Sequence, residues 1–471
     1  MLTVRLAYLV SLERSVLGRW PEWAETDEHA TLAWSARIAA GNWLDVPPFR
    51  PYAIWQRPFG TREEWESWYP KGAFYQGALY PYLVALVRKA ALPPVAAVRL
   101  LQALLAASAA AALAAAARNV ALRAGRKVGA AISAGTAAGL FAGLYGPAVF
   151  HDGFVQRDGP LLSVSVFLVA APFLPVLGSA GGLFVTGLAA GAAILLKQTV
   201  APLALLSLWA AVRREGRPVD LRRYASAALG LALPVLLLVG RNVAAGASPF
   251  SYDTRQGVGF AGYLSRGSTG TVVPSPLTGE ILSKAGGSTW RAARLAFASH
   301  DHPSDLAFLI GRKVVTFFHA FEVPDNANFY LFQRRLAVLR LLPVFPCVLG
   351  LGLVGLALGA IGGPGRRLLR PAATAMVAAA LLVPFVSSVL PSITSRYRLG
   401  VAAPLALGCG LLAAYLASEE TSGKGKAAAV AAAIGISFLT LLQPVIPASR
   451  IRGVDEQVVE KLEATAPRPS P

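Results

Sequence analysis

The sequence predicts an all-α polytopic membrane protein, a bundle of about 11 transmembrane helices with two large extracytoplasmic loops. Three observations support this. Of 471 residues, 55% are hydrophobic and 15% charged, with a mean hydropathy of +0.52, whereas a soluble domain carries about 25% charged residues. The apolar residues collect in blocks of roughly 17–25, the helix length that crosses a bilayer core. Lys and Arg clusters punctuate those blocks at alternate connections, as topology signals do.

The formal net charge of +19 does not indicate a nucleic-acid partner, because the basic residues form no single face and sit instead at the ends of apolar blocks. Cys347 and Cys409 both fall inside apolar segments, which excludes a disulfide framework. The expected localisation is therefore multi-pass in the cytoplasmic (inner) membrane, among membrane lipids.

In chain order, 2–17 is apolar but interrupted by Arg5, Glu13 and Arg14, and it reads as a clipped first helix or an interfacial one. The loop 19–76 holds seven of the nine Trp residues (Trp20, Trp23, Trp34, Trp43, Trp55, Trp65 and Trp68), with Tyr52, Tyr69 and Tyr75. That density suits a headgroup-level structure, or walls on which a sugar ring stacks. Residues 77–92 are too short to cross straight and end at Pro93-Pro94, so a re-entrant or interfacial helix is expected. Spans follow at 98–117, 128–149 and 160–177, then a hairpin, 183–196 and 199–212, bent at Lys197-Gln198. After the span 224–239, the second large outer loop, 241–335, is irregular over 246–288, with helical patterning at 290–299 and 305–321. Spans at 336–361, 371–390, 399–416 and 427–445 complete a membrane domain over 1–447. The Pro-rich tail, 448–471, is expected to be extracytoplasmic and disordered.

The basic clusters after 117, 212, 361 and 416 assign one side to the cytoplasm. The opposite side then receives three acidic groups: Asp27/Glu28, Asp152/Asp158, and Glu322 with Asp325. It also receives Lys197, Arg241 and Arg396-Tyr397-Arg398. Each has a plain structural explanation. Acids at a helix start favour its dipole, Lys197 can snorkel to the interface, and arginines anchor span ends. Their convergence, with an apolar hairpin broken by a lysine, favours a site on the outer face.

The motifs that lie along the chain are Asp27-Glu28 with Ile38-Ala39-Ala40-Gly41-Asn42-Trp43, Leu79-Tyr80-Pro81-Tyr82-Leu83, Val98-Arg99-Leu100-Leu101-Gln102, and Leu144-Tyr145-Gly146-Pro147 with Asp152-Gly153. Arg241-Asn242, Arg312-Lys313-Val314 with Phe321 to Asn326, and Arg396-Tyr397-Arg398-Leu399 follow. In this order they resemble the C-type (GT-C) integral membrane glycosyltransferases, in particular bacterial protein mannosyltransferase-like and aminoarabinose transferase-like proteins of the glycosyltransferase family 39 kind. The resemblance implies a GT-C-like bundle that transfers a sugar from a polyprenyl-phosphate donor to a lipid, glycan or protein acceptor at the outer face.

That chemistry needs one carboxylate to deprotonate the acceptor and cations to neutralise the departing phosphate. Asp27 is the expected base, with Glu28 roughly 100° away around the same helix. Arg396 and Arg398 are the expected phosphate clamp, with Lys197 and Arg241 in support. Tyr397 and Glu322 are further substrate contacts. Asp152 and Asp158 have two open roles, orienting the acceptor or holding a divalent metal ion, and no His/Cys/Asp cluster has metal-ligand spacing. The competing reading is a polyprenyl-linked sugar flippase or secondary transporter. Such proteins carry their ionisable groups near mid-membrane in broken, repeated helices, whereas these acids lie beside loops and no repeated half is evident.

Overall fold

The computed structural model describes residues 1–24, 26–44, 68, 77–90, 92–213, 220–251, 256–271, 274–361, 368–369, 371–390, 393–442 and 449–464. The regular secondary structure of the described residues is all helical, without a strand. Trp55, Trp65, Tyr52, Tyr69 and Tyr75 of the aromatic loop lie outside them.

Among the described residues, four helices are long and apolar enough to cross a membrane: Pro94–Arg123, Leu221–Ala244, Pro371–Val389 and Ser395–Ala417. A bent pair, Val128–Leu144 with Gly146–Asp152, makes a fifth. Asp158–Phe173, Ala180–Leu196, Gln198–Val212 and Phe345–Ile361 are apolar but shorter. The sequence predicted about 11 spans because length was read from apolar runs. Breaks at Tyr145 and the 341–344 segment divide those runs into shorter helices, whereas the break at Lys197 falls where the sequence places it.

The helices used below are α1 (Leu2–Glu13), α2 (Asp27–Ala39), α3 (Leu79–Lys89), α4 (Pro94–Arg123), α5 (Val128–Leu144), α6 (Gly146–Asp152), α7 (Asp158–Ala170), α8 (Ala180–Leu196), α9 (Ala201–Val212) and α10 (Leu221–Ala244). They continue with α11 (Gln256–Tyr263), α12 (Thr278–Ala285), α13 (Thr289–Ala298), α14 (Pro303–Phe318), α15 (Phe329–Arg335), α16 (Ala337–Arg340), α17 (Phe345–Ile361), α18 (Pro371–Val389), α19 (Ser395–Arg398), α20 (Ala402–Ala417), α21 (Gly423–Leu439) and α22 (Ser449–Ala464).

The bundle is organised around α20, which packs against α17 and α5. Its apolar window is 78% buried, against 17% for α10, so α20 is an inner helix and α10 a peripheral one. Lipid tails are as apolar as Leu, so close backbone approach must supply much of the helix association. A Cβ on Gly355 would collide with the Gly408 carbonyl, and one on Gly187 with the Ala227 carbonyl. Those glycines let α17 meet α20, and α8 meet α10, at backbone distance.

α1 has 12 residues, about 18 Å of helix and too short to cross. It packs through Tyr8, Leu9 and Leu12 on Val149, Phe150 and Phe154. Within the second large loop the irregular stretch 246–288 contains α11 and α12, while α13 and α14 fall where helical patterning was expected. α11, α12 and α13 enclose a small apolar core with Trp34 of α2 and Trp68, so they dock on the segment that carries Asp27. The tail, expected to be disordered, folds as α22. Val458, Val459 and Leu462 are buried in the α1 cluster, Arg335 pairs with Glu463 at 3.0 Å, and Arg19 donates to the Leu462 carbonyl. Its Val/Leu spacing supplies the apolar face that the Pro-rich composition of its end obscured.

Candidate active site

The site is assembled on α19, a single helical turn. Its start is fixed by the Ser395 N–H, which donates to the Val323 carbonyl at 2.9 Å and lays the turn along the 319–326 segment. Arg396 and Arg398 are two positions apart and so point about 200° apart around that turn, and their surroundings differ completely.

Arg396 is buried among three carboxylates. Its Nη1 lies 2.7 Å from Asp27 Oδ2 and 3.6 Å from Asp158 Oδ2, and its Nε is 2.5 Å from Asp325 Oδ2. Arg398 pairs with buried Glu322 at 2.6 Å, donates to the carbonyls of Phe317, His319 and Phe321, and lies over the Phe345 ring. Burial raises the Glu322 carboxyl, and Arg398 partly offsets this. The sequence placed both arginines on the carrier phosphate and Glu322 on substrate. Their common motif suggested common work, but Arg398 and Glu322 are turned inward, where they tie α19 to the end of α14.

Asp27 opens α2. Thr26 caps the helix by accepting from the His29 N–H at 3.1 Å, which frees the Asp27 carboxylate for longer-range partners. Oδ2 also accepts from Asn326 Nδ2 at 2.9 Å, and the Asn326 carbonyl accepts from Trp20 Nε1 at 3.0 Å. Trp20 is fully buried and packs edge-on against Trp23 and Phe332. At least this tryptophan is therefore neither belt nor sugar platform; it buttresses the Asp325-Asn326 turn.

Glu28 faces away from Arg396. It is fully buried, its Oε1 accepts from the Val155 N–H at 2.7 Å, and Arg99 Nη2 is 3.8 Å away. Burial pushes its carboxyl up to about 7, opposed by Arg99 and by the Val155 N–H. Glu28 thus fastens α2 to the loop that delivers Asp158.

That loop is tied down throughout. Asp152, expected at substrate, is ion-paired with Arg5 of α1, both side chains being buried. Arg5 looked like an interruption of an apolar segment because its partner lies 147 positions away. Gln102 donates to the carbonyls of Asp152 and Phe154 and accepts from Tyr80 Oη, and Tyr8 Oη donates to the Phe150 carbonyl at 3.0 Å. Asp158 is then presented at the first position of α7, beside Arg396.

Lys197 breaks the α8–α9 hairpin as expected, and its Nζ lies 4.0 Å from the Tyr397 ring centroid. Lys197, Tyr397, Arg396 and Asp158 line one narrow cavity of ≈ 30 Å³, walled by apolar residues that include Leu161, Leu162 and Leu203. Arg241 does not line it. At the end of α10, Arg241 donates to Tyr82 Oη and Asn242 Oδ1.

A second, very small recess of ≈ 10 Å³ also borders Arg396, lined by His151, Gln156, Asp325 and Asn326 among others. His151 is buried, and neither ring nitrogen has a hydrogen-bond partner among the described residues. His151 and Asn326 are thus groups here that were not singled out from sequence, and Asp325 was counted among the converging acids without a role of its own. Asp325 stood in a quoted motif, but nothing in its spacing linked it to an arginine 71 positions later. His151 gave no signal beyond its place in the polar loop.

No three His, Cys, Asp or Glu side chains among the described residues are grouped to hold a metal ion. The donors also do not suit one. Asp27 and Asp158 converge on Arg396, whose guanidinium occupies the position a divalent cation would need. Chemically, the arrangement offers a carboxylate pinned on one edge by Arg396 and Asn326, and a pair of cations, Arg396 and Lys197, flanking one aromatic ring at a cavity.

No family model matches the chain, and no curated protein matches it. Among solved structures the chain is similar to the oligosaccharyltransferase of Archaeoglobus fulgidus in its apo form, at 13% identity and a TM-score of 0.41. The alignment covers 99% of this chain and 60% of that one, so this chain spans less than two thirds of the length of that structure.

Proposed function

We propose that this protein is a membrane glycosyltransferase that moves a sugar from a polyprenyl-phosphate donor to an acceptor hydroxyl at the extracytoplasmic face of the cytoplasmic membrane. The observation that carries the reading is the contact of Asp27 with Arg396 beside a cavity that Arg396 shares with Lys197. One guanidinium joins a base to a narrow cleft that also holds a second cation, Lys197.

In this reaction the acceptor O–H gives its proton to Asp27 as the oxygen attacks the anomeric carbon. The bond from that carbon to the phosphate oxygen breaks, and the phosphate leaves with the electron pair. A phosphate needs no acid to depart; it needs compensating positive charge. Lys197 and Arg396 supply it from either side of Tyr397. Asn326 and Arg396 hold the Asp27 carboxylate in one orientation, so little reorganisation is required at the moment of transfer. Asp158 and Asp325 keep Arg396 aimed, and the recess at His151 receives polar groups of the sugar or acceptor. Arg398, Glu322 and Asp152 act as supports.

The test is transfer by purified, reconstituted protein from radiolabelled polyprenyl-phosphate sugars to a panel of lipid, glycan and peptide acceptors. Transfer that is abolished by Asp27→Asn supports the reading. Movement of intact labelled donor across the bilayer, with no new glycosidic product, would replace it with a flippase.

A further inference from the structure

A larger cavity, of ≈ 420 Å³, lies far from this site, where the ends of α4, α7 and α9 meet the start of α18. α4 itself measures the separation. Arg99, at its beginning, contacts Glu28, and Arg123, at its end, lines the cavity. The 24 residues between them span about 36 Å of helix, roughly one bilayer hydrocarbon core with a margin for the headgroup level. The lining is apolar apart from three arginines, Arg123, Arg213 and Arg223, and its walls include Phe173, Leu174 and Leu177. Arg223 is nine-tenths buried and donates to the Ala211 carbonyl at 3.1 Å, and Arg213 lies 5.4 Å from the Trp209 ring centroid.

We propose that this cavity binds the phosphate headgroup of an anionic phospholipid, with the start of its acyl chain against Phe173, Leu174 and Leu177. A simple topology signal needs cations facing water beside a membrane. It does not need three of them, one buried, around a cavity with an apolar strip, Phe173, Leu174 and Leu177, beside the arginines. Guanidinium forks match phosphate oxygens, and the adjoining apolar wall suits a headgroup that stays attached to its chains better than a free ion. The inference is independent of the reaction proposed above.

The test uses full-length protein in detergent with added phosphatidylglycerol or phosphatidylcholine, read by native mass spectrometry. Phosphatidylglycerol adducts are expected to persist where phosphatidylcholine adducts do not, and Arg123→Gln with Arg213→Gln is expected to weaken their retention about tenfold. These two side chains are exposed, so the double variant tests the site without removing the buried Arg223. The control Arg126→Gln with Lys127→Gln removes cations that pair instead with Glu420 and Glu419, and it is expected to leave retention unchanged. Equal retention of both lipids, or no loss in the double variant, would overturn the proposal. Displacement of the lipid by millimolar inorganic phosphate would reassign the site to a free anion and overturn the lipid assignment.

Discussion

Asp27 and Arg396 lie 369 positions apart and meet in a buried ion pair of 2.7 Å, with Asn326 Nδ2 on the same carboxylate oxygen. One helix start, one helical turn and one loop are thereby fixed at a single point. Arg396 is also shared with Asp158 and Asp325, so neutralising Asp27 does not strand it as an isolated buried charge. Asp27→Asn is therefore expected to insert and fold normally while transfer falls about 10²–10⁴-fold, the usual contribution of a general base. Donor affinity should be largely retained. Transfer near the wild-type rate in a well-expressed Asp27→Asn protein would remove Asp27 from the chemistry.

The two cations around Tyr397 should respond differently to substitution. Arg396 uses Nη1 and Nε toward separate carboxylates, a fork that lysine does not reproduce. Arg396→Lys is thus expected to lose transfer nearly as fully as Arg396→Ala. Lys197 contacts Tyr397 as a point charge, so Lys197→Arg should retain most donor binding and Lys197→Met should raise the donor KM. Measured donor KM and kcat for the four variants check this. Equal tolerance of lysine at 396 and methionine at 197 would leave the carrier phosphate without a binding site here.

Asp152 offers the opposite case, a carboxylate held by Arg5 and expected to support the fold rather than the proposed transfer. It is buried with Arg5, and removing one partner of such a pair costs about 3–5 kcal/mol. Asp152→Asn is expected to lower the yield of folded protein, while whatever folds should transfer at a near-normal rate per molecule. Replacing both partners, Arg5→Met with Asp152→Leu, should restore much of the lost yield, because no buried charge is left unpaired. A folded Asp152→Asn protein with intact yield and no turnover would return Asp152 to the reaction.

How far the sequence disclosed this site depends on which partner each residue found. Asp27, Asp158, Lys197, Arg396 and Tyr397 were legible because each is a polar group beside an apolar run, and topology alone brings such groups to one side. Four of these five line one cavity, and Asp27 touches Arg396 from its far side. Arg398, Glu322 and Asp152 satisfied the same rule but spend their charge on one another or on Arg5. Hydropathy does not distinguish a buried structural pair from a site. The helical class was plain from composition, whereas helix ends were less so: Lys197 marks its break by its charge, but the break at Tyr145 sits inside continuous apolar sequence. The helix over Ser449–Ala464 was missed for the converse reason, a weakly apolar face within a polar, Pro-ended tail.

Glu28 provides a test that does not depend on activity. Burial raises its carboxyl to about 7 from the ordinary 4.5, with Arg99 and the Val155 N–H pulling the other way. The titratable groups facing it are Arg99 and, at longer range, Glu13, Tyr8 and Tyr80. Between those two pH values the folded protein holds a proton that the unfolded chain has already released. Stability from this group is therefore fully present below pH 4.5, declines as pH rises through about 7, and stays lost above it. The full difference is on the order of 3 kcal/mol. Gln at this position keeps an oxygen for the Val155 N–H and does not titrate. Between pH 5 and pH 8, wild-type thermal stability in detergent should therefore fall relative to Glu28→Gln, although the variant also loses its attraction to Arg99. Because Glu28 faces away from Arg396, the same variant should retain far more transfer than Asp27→Asn. Parallel stability profiles for wild type and Glu28→Gln would show that the carboxylate is already ionised at pH 5, and that Arg99, despite its 3.8 Å separation, outweighs the cost of burial.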